Sequence, residues 1–268
     1  KDYSGKLIRY GVREHAMGAI SNGIALFGFN LPYQSCFMSF FDYLKPAFRM
    51  SALMNIPTLL TLSHDSILSG EDGPTHQPIE HLPSIRLIPN TIVSRPYNFT
   101  EILASYIWLF SYKKPTVVCL SKDQPTVKES DLDKALCGGY ILQNDRRAQL
   151  TIVATGCDVT LALNILDRLK EQKVYARIVS MPCVAVFEAQ KSTYKKSVLK
   201  DLPIVFLESS AENCWYKMAK PNDLILGLHT FGTSAKPQDV QKYLKFDADS
   251  LTKQIVNWLK KVPMSIKD

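Results

Sequence analysis

The stretch from Leu150 to Glu208 constrains this chain most. Leu150–Thr155 is apolar and β-branched without a break, and it stops at Gly156. A run with no polar alternation belongs to a strand buried on both faces. Asp158–Glu171 follows, with apolar residues at 159, 161, 163, 165, 166 and 169, which is mostly helical spacing. Val174–Ser180 and Ile204–Glu208 are two further strand-like runs. Strand, helix, strand in that order implies parallel strands joined by right-handed crossovers.

The first half repeats the alternation less clearly. Thr58–Ser63, Thr91–Ser94 and Thr116–Leu120 are short β-like runs, and Asp42–Asn55 and Thr100–Tyr112 read as helices. Pro57 and Pro115 each stand just before a strand, where a missing N–H costs little. Between the halves, Asp123–Asp133 holds a proline and several charges but no apolar period. With 268 residues, 46% of them apolar, the chain has material for two cores. The fold class expected is α/β, in two domains, each a mainly parallel sheet flanked by helices. The domains are placed at 1–130 and 131–268, joined near 124–138. No fixed short period supports a solenoid, and no run of about 18 apolar residues supports a membrane span.

A net charge of +7 suits an anionic ligand, but the lysines cluster in 191–200 and 253–267, in what read as surface helices. No basic stripe with interleaved aromatics supports nucleic acid. Cys36, Cys119, Cys137, Cys157, Cys183 and Cys214 stand far apart with no C-x-x-C, so metal and redox motifs are unsupported. Reduced, buried thiols are expected, as in a cytoplasmic protein. The start at Lys1 says nothing about targeting.

Three runs carry candidate chemistry. Gly11–Gly28 reads as a helix opening near Arg13 and ending at Gly28, and Gly18, Ala19, Gly23 and Ala25 let it pack closely. Glu14 falls in its first turn, where the helix dipole favours an anion; stabilising the helix start is the plainer role. Phe37, Phe40 and Tyr43 recur every three residues, with Phe41 beside them. On a helix they would share a face and could wall a flat ring, although core packing is the commoner fate. His64–His81 directly follows a strand, is rich in glycine and proline, and holds His64, Asp72 and His76. Ligands of open α/β sheets sit at such strand ends. The loop lacks a helical i, i+4 metal-ligand spacing, so a polar substrate pocket is expected and no metal ligand is assigned.

In this order, Glu14-His15 on a Gly/Ala-rich helix, the spaced aromatics, and Gly70-Glu-Asp-Gly-Pro-Thr-His-Gln-Pro78 resemble transketolases of the bacterial, yeast and plant kind. Further matches are Ser121, Gly138–Gln143, Val153–Gly156, Ala176–Ser180, Phe231-Gly232, Ser234 and Lys236. The chain is similar to the C-terminal part of that family: a pyrimidine-binding domain incomplete at its start, then the C-terminal domain. The resemblance implies thiamine-diphosphate-dependent transfer of a two-carbon ketol unit from a ketose phosphate to an aldose phosphate, a step of the pentose phosphate pathway. It further implies a cytoplasmic homodimer, with Mg2+ or Ca2+ beside the cofactor and no nucleic-acid or membrane partner.

Residue by residue, Glu14 matches the glutamate that hydrogen-bonds the pyrimidine N1′, a catalytic and cofactor-binding role. Phe37, Phe40 and Tyr43 match the aromatic pocket for the ring. His64 and Asp72 match substrate-contacting residues, and His76 a histidine at the reacting centre, a donor to the developing alkoxide. Lys122 stands where the family usually has an arginine that grips the terminal phosphate, a point charge in place of a planar fork. His15 and His81 are expected to be structural. Cys157-Asp158 and His229-Thr230 also depart from the family pattern, at positions that bear on packing. No Gly-Asp-Gly with a later Asn is present, so the ligands of the diphosphate and its metal are expected in a separate N-terminal domain or subunit. The chain reads as a fragment that is inactive alone, with a split subunit or degenerate paralogue as alternatives. Two rival functions remain: a formaldehyde transketolase (dihydroxyacetone synthase) and a non-catalytic transketolase-like interaction module.

Overall fold

The computed structural model describes residues 5–122 and 130–262. Most of the expected linker, and residues 263–267 of the C-terminal lysine cluster, lie outside the described residues.

The first half comprises α1 (Glu14–Phe27), β1 (Tyr33–Phe37), α2 (Phe41–Leu53), β2 (Leu59–Ser63), α3 (His81–Arg86), β3 (Ile92–Ser94), α4 (Phe99–Tyr112) and β4 (Thr116–Leu120). Its sheet has the order β1-β2-β4-β3, and every pairing is parallel. In register, Phe37 pairs with Ser63 and Ser63 with Leu120. The carboxyl ends of β1, β2 and β4 therefore finish side by side. Met38, Phe41, Leu44, Phe48, Leu60, Leu62 and Val117 form the core beneath α2.

The second half comprises α5 (Leu132–Ala135), β5 (Tyr140–Gln143), β6 (Leu150–Ala154), α6 (Asp158–Glu171), β7 (Ala176–Ser180), α7 (Val184–Glu188), α8 (Ser192–Leu199), β8 (Ile204–Leu207), β9 (Leu224–Leu226), α9 (Pro237–Tyr243) and α10 (Ala248–Leu259). The order is β5-β7-β6-β8-β9, with β5 antiparallel to β7 and the other pairs parallel. Along β6, Ile152 and Ala154 pack with α6 and α10, while Val153 packs with Phe187 and Phe206 on the opposite face. Both faces of the strand are covered, as its unbroken apolar run requires. The molecule is thus α/β, with two mainly parallel sheets.

One local expectation is corrected. Phe37, Phe40 and Tyr43 do not share a helix: Phe37 closes β1, Phe40 closes a 3-10 turn (Met38–Phe40), and Tyr43 lies in the first turn of α2. Phe41 leaves the aromatic row for the core, edge-on to Phe48 at 5.7 Å. The turn re-aims the chain between strand and helix, so alternate rings part company although the spacing is helical.

Candidate active site

Gly18 has no room for a Cβ, which would sit 2.7 Å from Leu44 Cδ1 and 2.8 Å from Ala47 Cβ. That close approach seats α1 on α2, and Asn22 secures it by donating to the Ala47 carbonyl at 2.8 Å. Glu14, the first residue of α1, is thereby brought to the end of β1. A cavity of about 220 Å³ opens there, lined by Arg13, Glu14, Met17, Cys36, Phe37 and Phe40 among others. Burial first, and the Glu14 carboxylate second, push the Cys36 thiol up to about 12, so it stays protonated. Tyr43 stands outside this lining, exposed, with its ring 6.4 Å from that of Phe40.

The Phe37 and Phe40 rings lie parallel, 5.9 Å apart. His64 stacks on Phe37 with centroids 3.7 Å apart, and the His76 ring stands edge-on to Phe37 and Phe40 at 6.0 and 5.3 Å. Thr75 Oγ1 and Ser63 Oγ lie 2.9 and 3.1 Å from the Nδ1 atoms of His76 and His64. Lys122 follows β4 by two residues, and its Nζ donates to Asp72 Oδ2 at 3.2 Å. His64, His76, Asp72 and Lys122 thus gather where β1, β2 and β4 end, beside the Glu14 cavity. His15 is exposed; His81 is buried, with Nε2 3.3 Å from Asp42 Oδ2. Asp42, Glu80 and His81 are close enough to share a metal ion, but the two acids are exposed, and such clusters are common without one. A larger cavity, about 370 Å³, lies between Arg86, Val93, Val184, Cys214 and Lys217, and no site residue expected from the sequence lines it.

Beneath this face runs a charged network that the sequence reading missed. Arg95 is fully buried; Nε donates to Asp65 Oδ2 at 2.7 Å and NH1 to Asp158 Oδ2 at 2.5 Å. Arg86 makes a two-pronged contact with Glu208 at 2.7 and 2.9 Å, and Thr155 Oγ1 also donates to that carboxylate. Burial works to raise Glu208, but the Arg86 guanidinium and Arg95 beyond it hold it below its ordinary value. Gly156, at φ +51°, lets Arg95 pass: a Cβ there would lie 2.7 Å from Arg95 Cγ. Cys157-Asp158, a departure from the family pattern, is part of this junction, and burial holds the Cys157 thiol up at about 12. The other departure, His229, is exposed and pairs with Glu212 at 3.0 Å. The available signal was an arginine at the end of a buried strand, since a desolvated guanidinium must find carboxylates.

Two family profiles match: the transketolase pyrimidine binding domain over residues 1–126, and the transketolase-like C-terminal domain over residues 138–247. The transketolase of Cereibacter sphaeroides is 40% identical over 255 residues, which is 94% of this chain and 39% of that protein. The chain belongs to the transketolase family.

Transketolase 1 of Saccharomyces cerevisiae is 41% identical over 257 residues, 94% of this chain and 37% of its own length. A transketolase from Pichia stipitis, solved with sedoheptulose-7-phosphate, superposes with a TM-score of 0.90 at 40% identity, over 97% of this chain and 39% of that one. The chain therefore spans roughly two-fifths of the transketolases it matches and corresponds to their C-terminal part. A split-gene transketolase, described as an inactive β4 tetramer, shares the fold with a TM-score of 0.75 at 18% identity, over 93% of this chain and 83% of that one.

Proposed function

We propose that this chain supplies the pyrimidine-binding and substrate-binding half of a thiamine-diphosphate-dependent transketolase, which moves a two-carbon ketol unit from a ketose phosphate to an aldose phosphate. The observation that carries the reading is the adjacency of the Glu14 cavity, walled by Phe37 and Phe40, to the cluster of His64, His76, Asp72 and Lys122.

The residues fit the aminopyrimidine half of the cofactor: a carboxylate at one edge of a cavity with flat aromatic walls. When bound, thiamine diphosphate supplies the carbon nucleophile that carries the two-carbon unit. Glu14 would hold a proton at the ring nitrogen N1′, and the aromatic walls exclude water from that contact. Tyr43, outside the cavity, would extend the wall at its rim. His76 would donate to the oxygen on which charge develops, and His64 and Asp72 would orient the sugar. Lys122 would draw the terminal phosphate and release Asp72 as it does so, since the two are paired at 3.2 Å.

The domains divide at about residue 130. The diphosphate and a Mg2+ or Ca2+ ion are assigned to a partner's N-terminal domain, in a homodimer or in a complex with a separate subunit. The surface around β1 accords with such a partner, since Phe27 is 75% exposed and Phe29 81%. A cytoplasmic location accords with six free cysteines. Among the described residues no helix is long and apolar enough to cross a membrane. A second reading, formaldehyde as acceptor, draws on Lys122, because that acceptor needs no phosphate fork. A coupled assay with the diphosphate-binding part supplied, run with ribose 5-phosphate and with formaldehyde, separates the two. Ketol transfer to ribose 5-phosphate that is abolished by Glu14→Gln is the expected result; unchanged turnover in that variant would remove Glu14 from the mechanism.

A further inference from the structure

His64 holds φ +59°, a left-handed conformation that is strained for a residue with a side chain and persists only where the surroundings over-determine it. The residue after it is held from two sides. Asp65 is buried, and its two carboxylate oxygens face different elements. Oδ1 accepts from Ser121 Oγ at 2.8 Å, Oδ2 accepts from Arg95 Nε at 2.7 Å, and the Asp65 amide donates to the Leu120 carbonyl at 3.3 Å. Ser121 immediately precedes Lys122. One carboxylate therefore joins the residue after His64 to the residue before Lys122. Arg95 carries the connection into the second domain: beyond its bond to Asp158, it donates from NH1 to Thr155 Oγ1 at 3.1 Å and from NH2 to Ser209 Oγ at 3.1 Å. Asp158 is fixed in turn by the Ser209 amide at 2.8 Å and hydroxyl at 2.9 Å.

We propose that Asp65 is a positioning residue that locks His64 in its left-handed conformation over Phe37 and sets the spacing of His64 from Lys122, and that Asp158 of the second domain holds Asp65 in place through Arg95. The proposal rests on reading His64 and Lys122 as substrate residues. Buried ion pairs of this kind add little stability over a well-packed apolar contact. What they supply is direction: each oxygen accepts along a fixed line from a donor on another element. Asparagine at position 65 would keep its carbonyl for Arg95, which can only donate, but without the charge that strengthens that bond, and would turn its N–H to Ser121, whose hydroxyl must then accept instead of donate. One link would weaken and the other reverse, and His64 would be free to relax. The second domain then acts on substrate without contributing a side chain that touches it.

The test uses the 268-residue chain with 13C-labelled histidine, and separately the enzyme with its diphosphate-binding part supplied. The variants are Asp65→Asn, Ser121→Ala and Asp158→Asn. Ile255→Ala, a buried core change in the second domain away from the network, serves as the control. In all three network variants the His64 Cα resonance should leave its left-handed position and the ring should lose its shielding by Phe37; Ile255→Ala should lower the unfolding midpoint without either change. KM for the ketose phosphate should rise about 10- to 100-fold, while kcat at saturation changes by no more than about twofold. If His64 resonances in Asp65→Asn and Ser121→Ala coincide with those of the parent chain, the lock is overturned; if only Asp158→Asn leaves them in place, the role of the second domain is overturned. Moved resonances with an unmoved KM would keep the lock and remove His64 from substrate binding. Ser121→Ala, which deletes a single hydroxyl, keeps the test decisive should Asp65→Asn fail to fold.

Discussion

At the scale of single residues, Glu208 shows what the buried charges do. Its carboxylate is almost inaccessible and meets Arg86 with both oxygens. Removing one partner of such a pair strands the other, which typically costs about 3–5 kcal/mol. Glu208→Gln should therefore lower stability at pH 7 by that order, read as a drop in urea midpoint. The sign of its pH dependence follows from the direction of the shift. The carboxyl is held below its ordinary value of 4.5 in the folded chain, so its contribution is complete above about pH 4.5 and is lost as pH falls through the depressed value. The gap between parent and variant should stay constant from pH 7 to pH 5 and narrow progressively as the pH falls below 4.5. The remaining carboxyls are common to both proteins and largely cancel in the difference. A gap that does not change at all between pH 7 and the acid limit of folding would mean that folding does not depress the Glu208 carboxyl. The same residues mark a limit of sequence reading: Asp65, Arg95 and Glu208 carry no motif spacing, and 30 positions separate Asp65 from Arg95. Nothing local says that three strand ends will bring them together.

At the scale of elements, α1 on α2 controls the cavity. The two helices touch at Gly18, Leu44 and Ala47, and Glu14 lies one turn before that contact. Gly18→Val should force them apart, with a loss of about 1–3 kcal/mol for overpacking. It should also weaken any ring binding beside Glu14, because the carboxylate rides on the displaced helix. Thermal unfolding, and fluorescence quenching by thiamine diphosphate with the diphosphate-binding part supplied, read the two effects; unaltered binding would show that the cavity does not depend on α1. This contact was legible in advance, since a Gly/Ala-rich helix needs a close neighbour, and the left-handed Gly28 ends the helix where the sequence places it. Runs with an unbroken apolar face were legible too: Thr116–Leu120 is β4 to the residue, and Leu150–Thr155 exceeds β6 by one. By contrast, β1 (Tyr33–Phe37) escaped notice because it buries Gln34 and exposes Tyr33, so neither alternation nor apolar content marks it as a strand. The aromatic row therefore has helical spacing without a shared helix, and of Phe37, Phe40 and Tyr43 only Tyr43 lies in α2. The place of the His64–His81 loop at a strand end was legible because a glycine- and proline-rich run directly follows an apolar one. Its clamp was not: Gln77 Nε2 donates to Thr233 O across 156 positions.

At the scale of the whole molecule, the proposed function gives the cavity only half of a charged cofactor. Glu14, Phe37 and Phe40 offer an edge contact and two walls for a ring, and Arg13, the cation in the lining, already donates to the Tyr10 carbonyl at 2.9 Å. The 268 residues contain no Gly-Asp-Gly with a following Asn to grip a diphosphate and its metal. Each charge-assisted hydrogen bond not made forgoes roughly 1.5–3 kcal/mol, so four of them amount to about 6–12 kcal/mol. A micromolar site is worth only about 8 kcal/mol in total, so the remaining affinity should be negligible. Stacking on Phe37 and Phe40, at about 0.5–1.5 kcal/mol per aromatic pair beyond area burial, does not close that deficit. Titration calorimetry of this chain with thiamine diphosphate and Mg2+ should accordingly give no measurable heat up to about 100 μM, and no ketol transfer should be detected. Adding the diphosphate-binding part as a separate subunit should restore both. Saturable binding by the chain alone, at micromolar concentration and dependent on Mg2+, would require a diphosphate site within these residues and would overturn the division of the cofactor between two partners.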